Sequence, residues 1–131
     1  MKPFFLAASM LVLALVFCLW NADTVTRKTQ ALEEFVSSAQ VCAESGDMSG
    51  AGKYIDKAYD YWLGEQTYFH IVMQHEALDD AESLFCRLRA LGVEMDDAEA
   101  DDAEFCSDAA ELLSQLRLLR ELEEISIKNI L

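Results

Sequence analysis

Four side chains of metal-ligand type recur along one short stretch of the sequence. They follow one another at steps of four, three and four residues, so on a helix they project within a narrow sector. Histidine and cysteine suit zinc, but one straight helix cannot surround a tetrahedral ion with four residues of a single row. Other helices would have to supply ligands, and we favour the alternative of a solvent-exposed helix face. The four residues are His75, Asp79, Glu82 and Cys86.

A second acidic stretch raises the question of calcium binding. Residues 94–111 contain nine acids and no base. An EF-hand loop that began at Asp97 would need glycine at its sixth position and glutamate at its twelfth. The sequence has Asp102 and Asp108 there, which argues against an EF-hand. The remaining interpretation is a solvated segment. Its concentrated negative charge would attract a basic partner or, weakly, cations.

The predicted protein-contact surface combines this acidic stretch with an aromatic cluster. Aromatic side chains are dense over residues 54–69, where core packing is the first explanation and an exposed subset would form a docking site. The partner would be a membrane protein, an extracytoplasmic protein or a second copy of the chain. The predicted contact residues are Tyr61, Trp62, Asp97, Asp101 and Asp102.

The sequence lacks recognisable catalytic motifs. No serine or cysteine lies in a known nucleophile pattern, and His70 is expected at a helix–helix junction. We therefore predict a non-enzymatic protein without a cofactor. A cation-binding sensor or metal-dependent enzyme that uses the row containing His75 is the alternative.

The charge balance excludes some partners. The chain carries 24 Asp and Glu against 10 Lys and Arg, a net charge of −14, and every acid follows the first twenty residues. Phosphate backbones and anionic bilayer surfaces repel such a body, so nucleic-acid binding and electrostatic binding to lipid are disfavoured.

The first twenty residues predict a membrane anchor. Phe4–Trp20 contains only one polar residue, Ser9. As a helix it spans about 26 Å, near the short limit for a hydrocarbon core of about 30 Å. Trp20 ends the run, as aromatic side chains do at a membrane boundary. The bilayer is thus the predicted partner of Phe4–Trp20.

A cleaved signal peptide is the alternative to an anchor. Cleavage after Ala22 would place the bulky Trp20 where a small residue is needed. We therefore predict a single-pass cell-membrane protein with an uncleaved anchor over residues 1–22 and an acidic domain over residues 23–131. The short cationic head that contains Lys2 favours an extracytoplasmic domain. A secreted helical protein would result if cleavage occurred.

Apolar residues recur at steps of three and four throughout the domain. This period predicts an all-α fold, a small antiparallel bundle of about four helices behind the N-terminal transmembrane helix. No breaker separates the anchor from the first domain helix, so one continuous rod is expected. It would end at Ser45 and Gly46, and Asp47 would cap the second helix.

Two further glycines predict the next helix ends. Gly64 is the expected break after the second helix, and a third helix is expected over residues 66–91, capped by Gly92. The last helix carries an apolar stripe up to Ile125, and its apolar end predicts docking rather than fraying. Three domain cysteines allow either buried thiols or one bridge and a free thiol. They are Cys42, Cys86 and Cys106, whereas Cys18 lies inside the anchor.

The order of these features resembles the bacterial family catalogued as domain of unknown function 4363. Trp62, the motif from His75 to Leu78-Asp79, and the ending Asn129-Ile130-Leu131 carry most of the likeness. The family usually has an acidic residue two places after its histidine, where this sequence has Ala77. The resemblance implies a membrane location and an all-helical fold, and it implies no known reaction.

Overall fold

The chain folds into four helices. The computed structural model describes residues 1–94 and 102–130, and no strand occurs within these ranges. The prediction of an all-α bundle of about four helices is therefore confirmed. The helices are α1 (Lys2–Glu44), α2 (Met48–Val72), α3 (His75–Glu94) and α4 (Asp102–Ile130).

The helices form an up-and-down bundle. α1 packs against α2 and α4, and α3 packs against the same two helices. Polar contacts give the direction of each pair: Tyr68 near the end of α2 bonds Asn21 of α1, and Arg89 near the end of α3 bonds Asp56 near the start of α2. Consecutive helices are thus antiparallel, as their short connections require.

α1 is a single unbroken helix of 43 residues, about 65 Å long at a rise of about 1.5 Å per residue. Pro3 lies in its first turn, where a missing N–H costs nothing. The predicted continuous rod is confirmed. Most of the large apolar side chains before Asn21 are exposed, whereas from Thr24 onward one stripe is buried. That stripe is Thr24, Val25, Thr29, Leu32, Val36, Ala39 and Ala43.

The turn between α1 and α2 forms at the residues that the sequence predicts. Gly46 has a φ of 83°, a conformation that glycine adopts without steric cost. The Asp47 side chain accepts a hydrogen bond of 2.9 Å from the backbone N–H of Gly50. This bond satisfies one of the free donors of the first helical turn, so the predicted N-cap is confirmed.

The predicted helix break at Gly64 is wrong. α2 continues through this residue to Val72, and the next residue, Met73, has an extended backbone. Trp62 and Phe69 lie on either side of Gly64, both are buried, and their rings stack with centroids 5.3 Å apart. A continuous helix holds both rings in the core. Their burial outweighs the cost of about 1 kcal/mol for a glycine inside a helix.

The predicted third helix over residues 66–91 is wrong at both ends. Because α2 takes Phe69 into its own core stripe, α3 begins only at His75, and it runs past Gly92 to Glu94. Gly92 lies opposite Gly52 of α2, and a Cβ atom on Gly92 would lie 3.5 Å from the Gly52 Cα atom. This glycine serves a close approach of two helices rather than a cap.

The core lies between all four helices and is rich in aromatic rings. Trp62 contacts Phe85 with ring centroids 5.4 Å apart, and Tyr59 lies 6.2 Å from Phe85. Aromatic pairs at these distances add to the energy of burial. The largest fully buried side chains are Trp62, Phe69, Phe85, Phe105, Leu32, Ile55, Leu78, Leu88, Leu112 and Leu116.

Candidate functional site

The row of metal-ligand residues lies on α3, away from the core. His75, Asp79 and Cys86 are exposed and Glu82 is half-buried, since the buried stripe of α3 is centred on Ala81 and Phe85, on another side. Within residues 1–94 and 102–130, no group of three or more His, Cys, Asp or Glu side chains is placed to hold a metal ion. The row and its described neighbours therefore do not assemble three ligand side chains around one point.

His75 pairs instead with the other histidine. The Nδ1 atoms of His70 and His75 lie 3.2 Å apart, and their rings lie 5.3 Å apart between centroids. At this distance one ring can donate its Nδ1 proton to the other. The sequence places the two residues five apart, a spacing that brings no side chains together on one helix. The break at Met73 makes the pairing, and sequence periodicity could not have found it.

The predicted contact residue Trp62 is not at the surface. Only 1% of this residue is exposed, because its ring fills the core between Phe69 and Phe85. Its prediction as an interaction residue is therefore wrong. Tyr61 is half-buried, and its ring lies 6.3 Å from that of Phe35 on α1.

Asp102, which lies within the described residues, is at the bundle end far from the apolar span. Asp97 and Asp101 lie outside the described residues, and Asp102 is the first residue of α4. The acidic stretch joins the end of α3 to the start of α4. Since Gly92 near the end of α3 lies against Gly52 in the first turns of α2, these helix ends lie at the same end as the turn at Gly46.

The cysteines have different environments. Cys42 is half-buried and Cys86 is exposed, and both are free thiols. Cys106 is half-buried in the first turns of α4. Cys18, within the apolar span, is a half-buried free thiol. The buried-thiol prediction is wrong for Cys86, because this residue lies on the outer face of α3.

Three helices are joined by polar contacts at the boundary between the apolar span and the bundle. The Tyr68 hydroxyl of α2 donates to Asn21 Oδ1 at 2.5 Å, and the Asn21 side-chain amide donates to Glu123 Oε1 of α4 at 3.2 Å. Lys28 forms an ion pair with Glu65, and its Nζ lies 4.6 Å from the centroid of the Tyr68 ring. We call these five residues the boundary network.

Burial and charge act together on Tyr68. Burial raises the pKa of its hydroxyl above the ordinary value, and the negative charge of Glu123 raises it further, while a hydrogen bond with Thr24 acts in the opposite direction. Burial, followed by the charge of Glu65, also raises the pKa of Tyr61. Both hydroxyls are therefore held in their neutral forms over a wider pH range than free tyrosine.

Two ion pairs hold α4 against its two neighbouring helices. Arg87 of α3 bonds Asp108 of α4 at 2.5 Å, and the Asp108 side chain is 7% exposed. Arg120 of α4 bonds Glu33 of α1 at 3.1 Å. These contacts hold α4 against both of its neighbours, so they fix the bundle rather than form a reactive centre.

Apolar side chains are exposed at the bundle end next to the span. Ile71 in the last turn of α2 is 78% exposed, and Ile125 of α4 is 53% exposed. Ile125 ends the predicted apolar stripe of the last helix and is exposed, while the apolar chain end that is predicted to dock, Ile127, Ile130 and Leu131, lies outside the described side chains. A cavity of about 170 Å³ opens between α4 and the connection from α2 to α3. Its lining residues are Val72, Met73, Gln74, Ala77, Leu119, Leu122 and Glu123.

Comparison with known proteins gives one match. The model of a family described as "Domain of unknown function (DUF4363)" matches residues 19–130, which includes the whole bundle and the last residues of the apolar span. No curated protein and no solved structure matches the chain.

Proposed function

The chain belongs to the DUF4363 family, and for this member we propose a membrane-tethered, non-enzymatic helical module that binds another protein through its acidic end. Residues 1–22 anchor it in the cell membrane by a single span, and the bundle lies outside the cytoplasm. The observation that carries the proposal is the continuity of α1, one helix that contains both the exposed apolar span and the buried bundle stripe.

The exposure of the span supports its insertion into lipid. Phe5 is 67% exposed, Leu11 is 74% exposed and Phe17 is 64% exposed, and their spacing of six residues places them on three sides of the helix rather than along one stripe. A helix that is apolar all round needs an apolar environment on every side. Its length and hydropathy also suffice for a membrane crossing.

The packing of the second half of α1 supports a rigid tether. The same helix that leaves the span is fixed between α2 and α4 by its buried stripe and by the boundary network. From Asn21 to Glu44 it rises about 35 Å at about 1.5 Å per residue. The bundle would therefore hold its acidic end at a set height above the bilayer.

The boundary network also supports an uncleaved anchor. Signal cleavage after Ala22 would separate Asn21 from the domain, and Asn21 bonds both Tyr68 and Glu123. It would also remove Trp20, whose carbonyl accepts a hydrogen bond of 2.8 Å from Thr24. A mature protein without these residues would lose contacts that join three helices.

The charge of the bundle supports a basic protein partner. The net charge of −14 creates a negative potential that draws cationic surfaces and repels nucleic acid. In the sequence, the densest acidic stretch lies between α3 and α4, and the adjoining ends of these two helices are at the membrane-distal end. A membrane or extracytoplasmic protein with a basic face, or a basic loop of one, is the proposed partner.

Site-specific photocrosslinking in native membranes tests the interaction. A benzophenone amino acid replaces exposed Glu104 in the first turn of α4, and the matched control places it at exposed Glu76 at the opposite end. We expect a discrete adduct from position 104 alone. The adduct should disappear when Asp97, Asp101 and Asp102 are changed to Asn, with the helical circular dichroism unchanged. An absent adduct, or one that survives the three substitutions, would contradict the proposed surface.

A further inference from the structure

We infer that the membrane-proximal end of the bundle is a lipid-contacting surface that rests in the interfacial layer of the bilayer. The inference depends on the proposed anchor, because the anchor sets the level of the membrane. The surface consists of the end of α2 with Ile71 and the last turns of α4 with Ile125. Together with Trp20 we call it the interfacial collar.

The end of α2 lies at the level of Trp20. Tyr68 bonds Asn21 across the antiparallel pair, and Lys28 further along α1 bonds Glu65 earlier in α2. Each step toward the end of α2 therefore corresponds to a step toward the span. Ile71, three residues after Tyr68, lies nearly one helical turn nearer to the span, close to the level of Trp20 along the bundle axis.

The end of α4 reaches the same level. Glu123 is bonded to Asn21, and α4 continues for seven more residues to Ile130, which is about 10 Å of helix directed toward the span. Even with the reach of the Glu123 side chain allowed for, this length brings the last turn of α4 level with Trp20. Ile125 lies on this segment with half of its surface free.

The chemistry of these side chains fits the interface of a bilayer. Polar headgroup layers add about 5–7 Å to each side of the hydrocarbon core, and amphipathic helices bury their apolar faces about 5–10 Å into this zone. Trp20, 56% exposed, has the side chain that prefers this depth. Apolar side chains at the level of Trp20 would be removed from contact with water when lipid covers them.

The contact is held by the tether and by apolar burial, without charge attraction. The chain has a net charge of −14, and all of its acids lie after the span; Asp23, next to the span, is 66% exposed on its side chain. Anionic headgroups would repel it. The collar is therefore expected on zwitterionic lipid, and a phosphatidylcholine bilayer is the appropriate probe.

Quenching by brominated lipid tests the collar. The full chain is reconstituted in phosphatidylcholine vesicles with and without bromine on the upper acyl chain. Ile71→Trp and Ile125→Trp are each made with Trp20→Phe, and buried Trp62 stays constant. Val41→Trp, with Trp20→Phe, is the matched control, since Val41 is 61% exposed at the far end of α1. The unsubstituted protein reports Trp20 itself.

We expect bromine to quench Trp at positions 71 and 125 about as strongly as it quenches Trp20, and to leave the position 41 reporter unchanged. If Trp20 is quenched while either collar reporter behaves like position 41, the collar is wrong and the anchor stands. Equal quenching of position 41 would also overturn the collar, since the bundle would then lie flat on the bilayer. If Trp20 itself is not quenched, the anchor and the collar fail together.

Discussion

The two halves of α1 share one backbone and have opposite surroundings. In the first half, Leu13 is 68% exposed and most of the other large apolar side chains are exposed as well; in the second half, Leu32 is fully buried on one stripe. This stripe is covered by α2 and α4, which pack against it. The first half has no such cover among the described residues, and its apolar character suits lipid. Under the proposed anchoring, one continuous helix would have lipid around its first half and protein around its second.

The sharpest comparison replaces the same residue type in each half. Leu32→Ala should lower the free energy of unfolding of the bundle by about 2–5 kcal/mol, because it opens a cavity in a packed core. Leu13→Ala should leave that free energy unchanged, because Leu13 touches no part of the bundle core. Denaturant unfolding of the detergent-solubilised full chain, followed by near-ultraviolet circular dichroism, measures both. Equal effects from the two variants would show that the halves are not distinct.

A second test concerns the boundary where the halves meet. Asn21→Ala removes the hydrogen bonds to Tyr68 and Glu123, so we expect a loss of about 1–2 kcal/mol in unfolding free energy. Asn129→Ala is the matched control, since Asn129 is an exposed asparagine of α4, and it should change little. If the control loses as much stability as Asn21→Ala, the boundary network has no special role.

The smallest expected effect is a pH dependence at the same boundary. The pKa of Tyr68 is raised in the folded protein by burial and by Glu123. A raised folded pKa means that the folded state holds its proton longer, so the stabilising contribution is complete below the unfolded pKa and is lost as the pH rises through the folded value. The free energy of unfolding should therefore fall above about pH 10. In the Tyr68→Phe variant, it should fall less steeply with pH.

The slope is obtained from unfolding free energies measured between about pH 8 and pH 11, a range that brackets the ordinary tyrosine pKa of about 10. Tyr59→Phe serves as the control, because Tyr59 takes no part in the boundary network. Parallel slopes for the parent protein and Tyr68→Phe would show that Tyr68 does not carry the effect.

Much of the fold follows from local signals in the sequence. The stripe containing Leu32 and Val36 has a helical period, the absence of breakers predicts the continuous α1, and Gly46 with Asp47 predicts the first turn. At Gly64 the same reasoning fails. A local glycine signal favours a break, but the burial of Trp62 and Phe69 on both sides of it makes the longer helix more stable. Tertiary packing outweighs intrinsic preference there.

The site could be predicted less well than the fold. Asn21, Tyr68 and Glu123 meet although 47 and 102 residues separate Asn21 from the other two, and only the register of three packed helices brings them together. An aromatic residue such as Trp62 suits a core and an interface equally, so its type alone could not assign it. The His70–His75 pair required knowledge of the true helix break.

The central claim is that the first half of α1 stays in lipid and holds the bundle beside the membrane. Alkaline carbonate extraction of native membranes that contain the full chain tests it most directly. Two charges in the span, Leu11→Asp with Leu13→Asp, oppose insertion by roughly 5–7 kcal/mol on the insertion scale. The matched control places the same change at exposed apolar sites of the bundle, Val41→Asp with Leu63→Asp.

We predict that the parent protein and the control stay in the membrane pellet, whereas the span variant moves to the soluble fraction. Recovery of the intact parent protein from the soluble fraction without detergent would contradict the claim. So would a span variant that stays in the pellet.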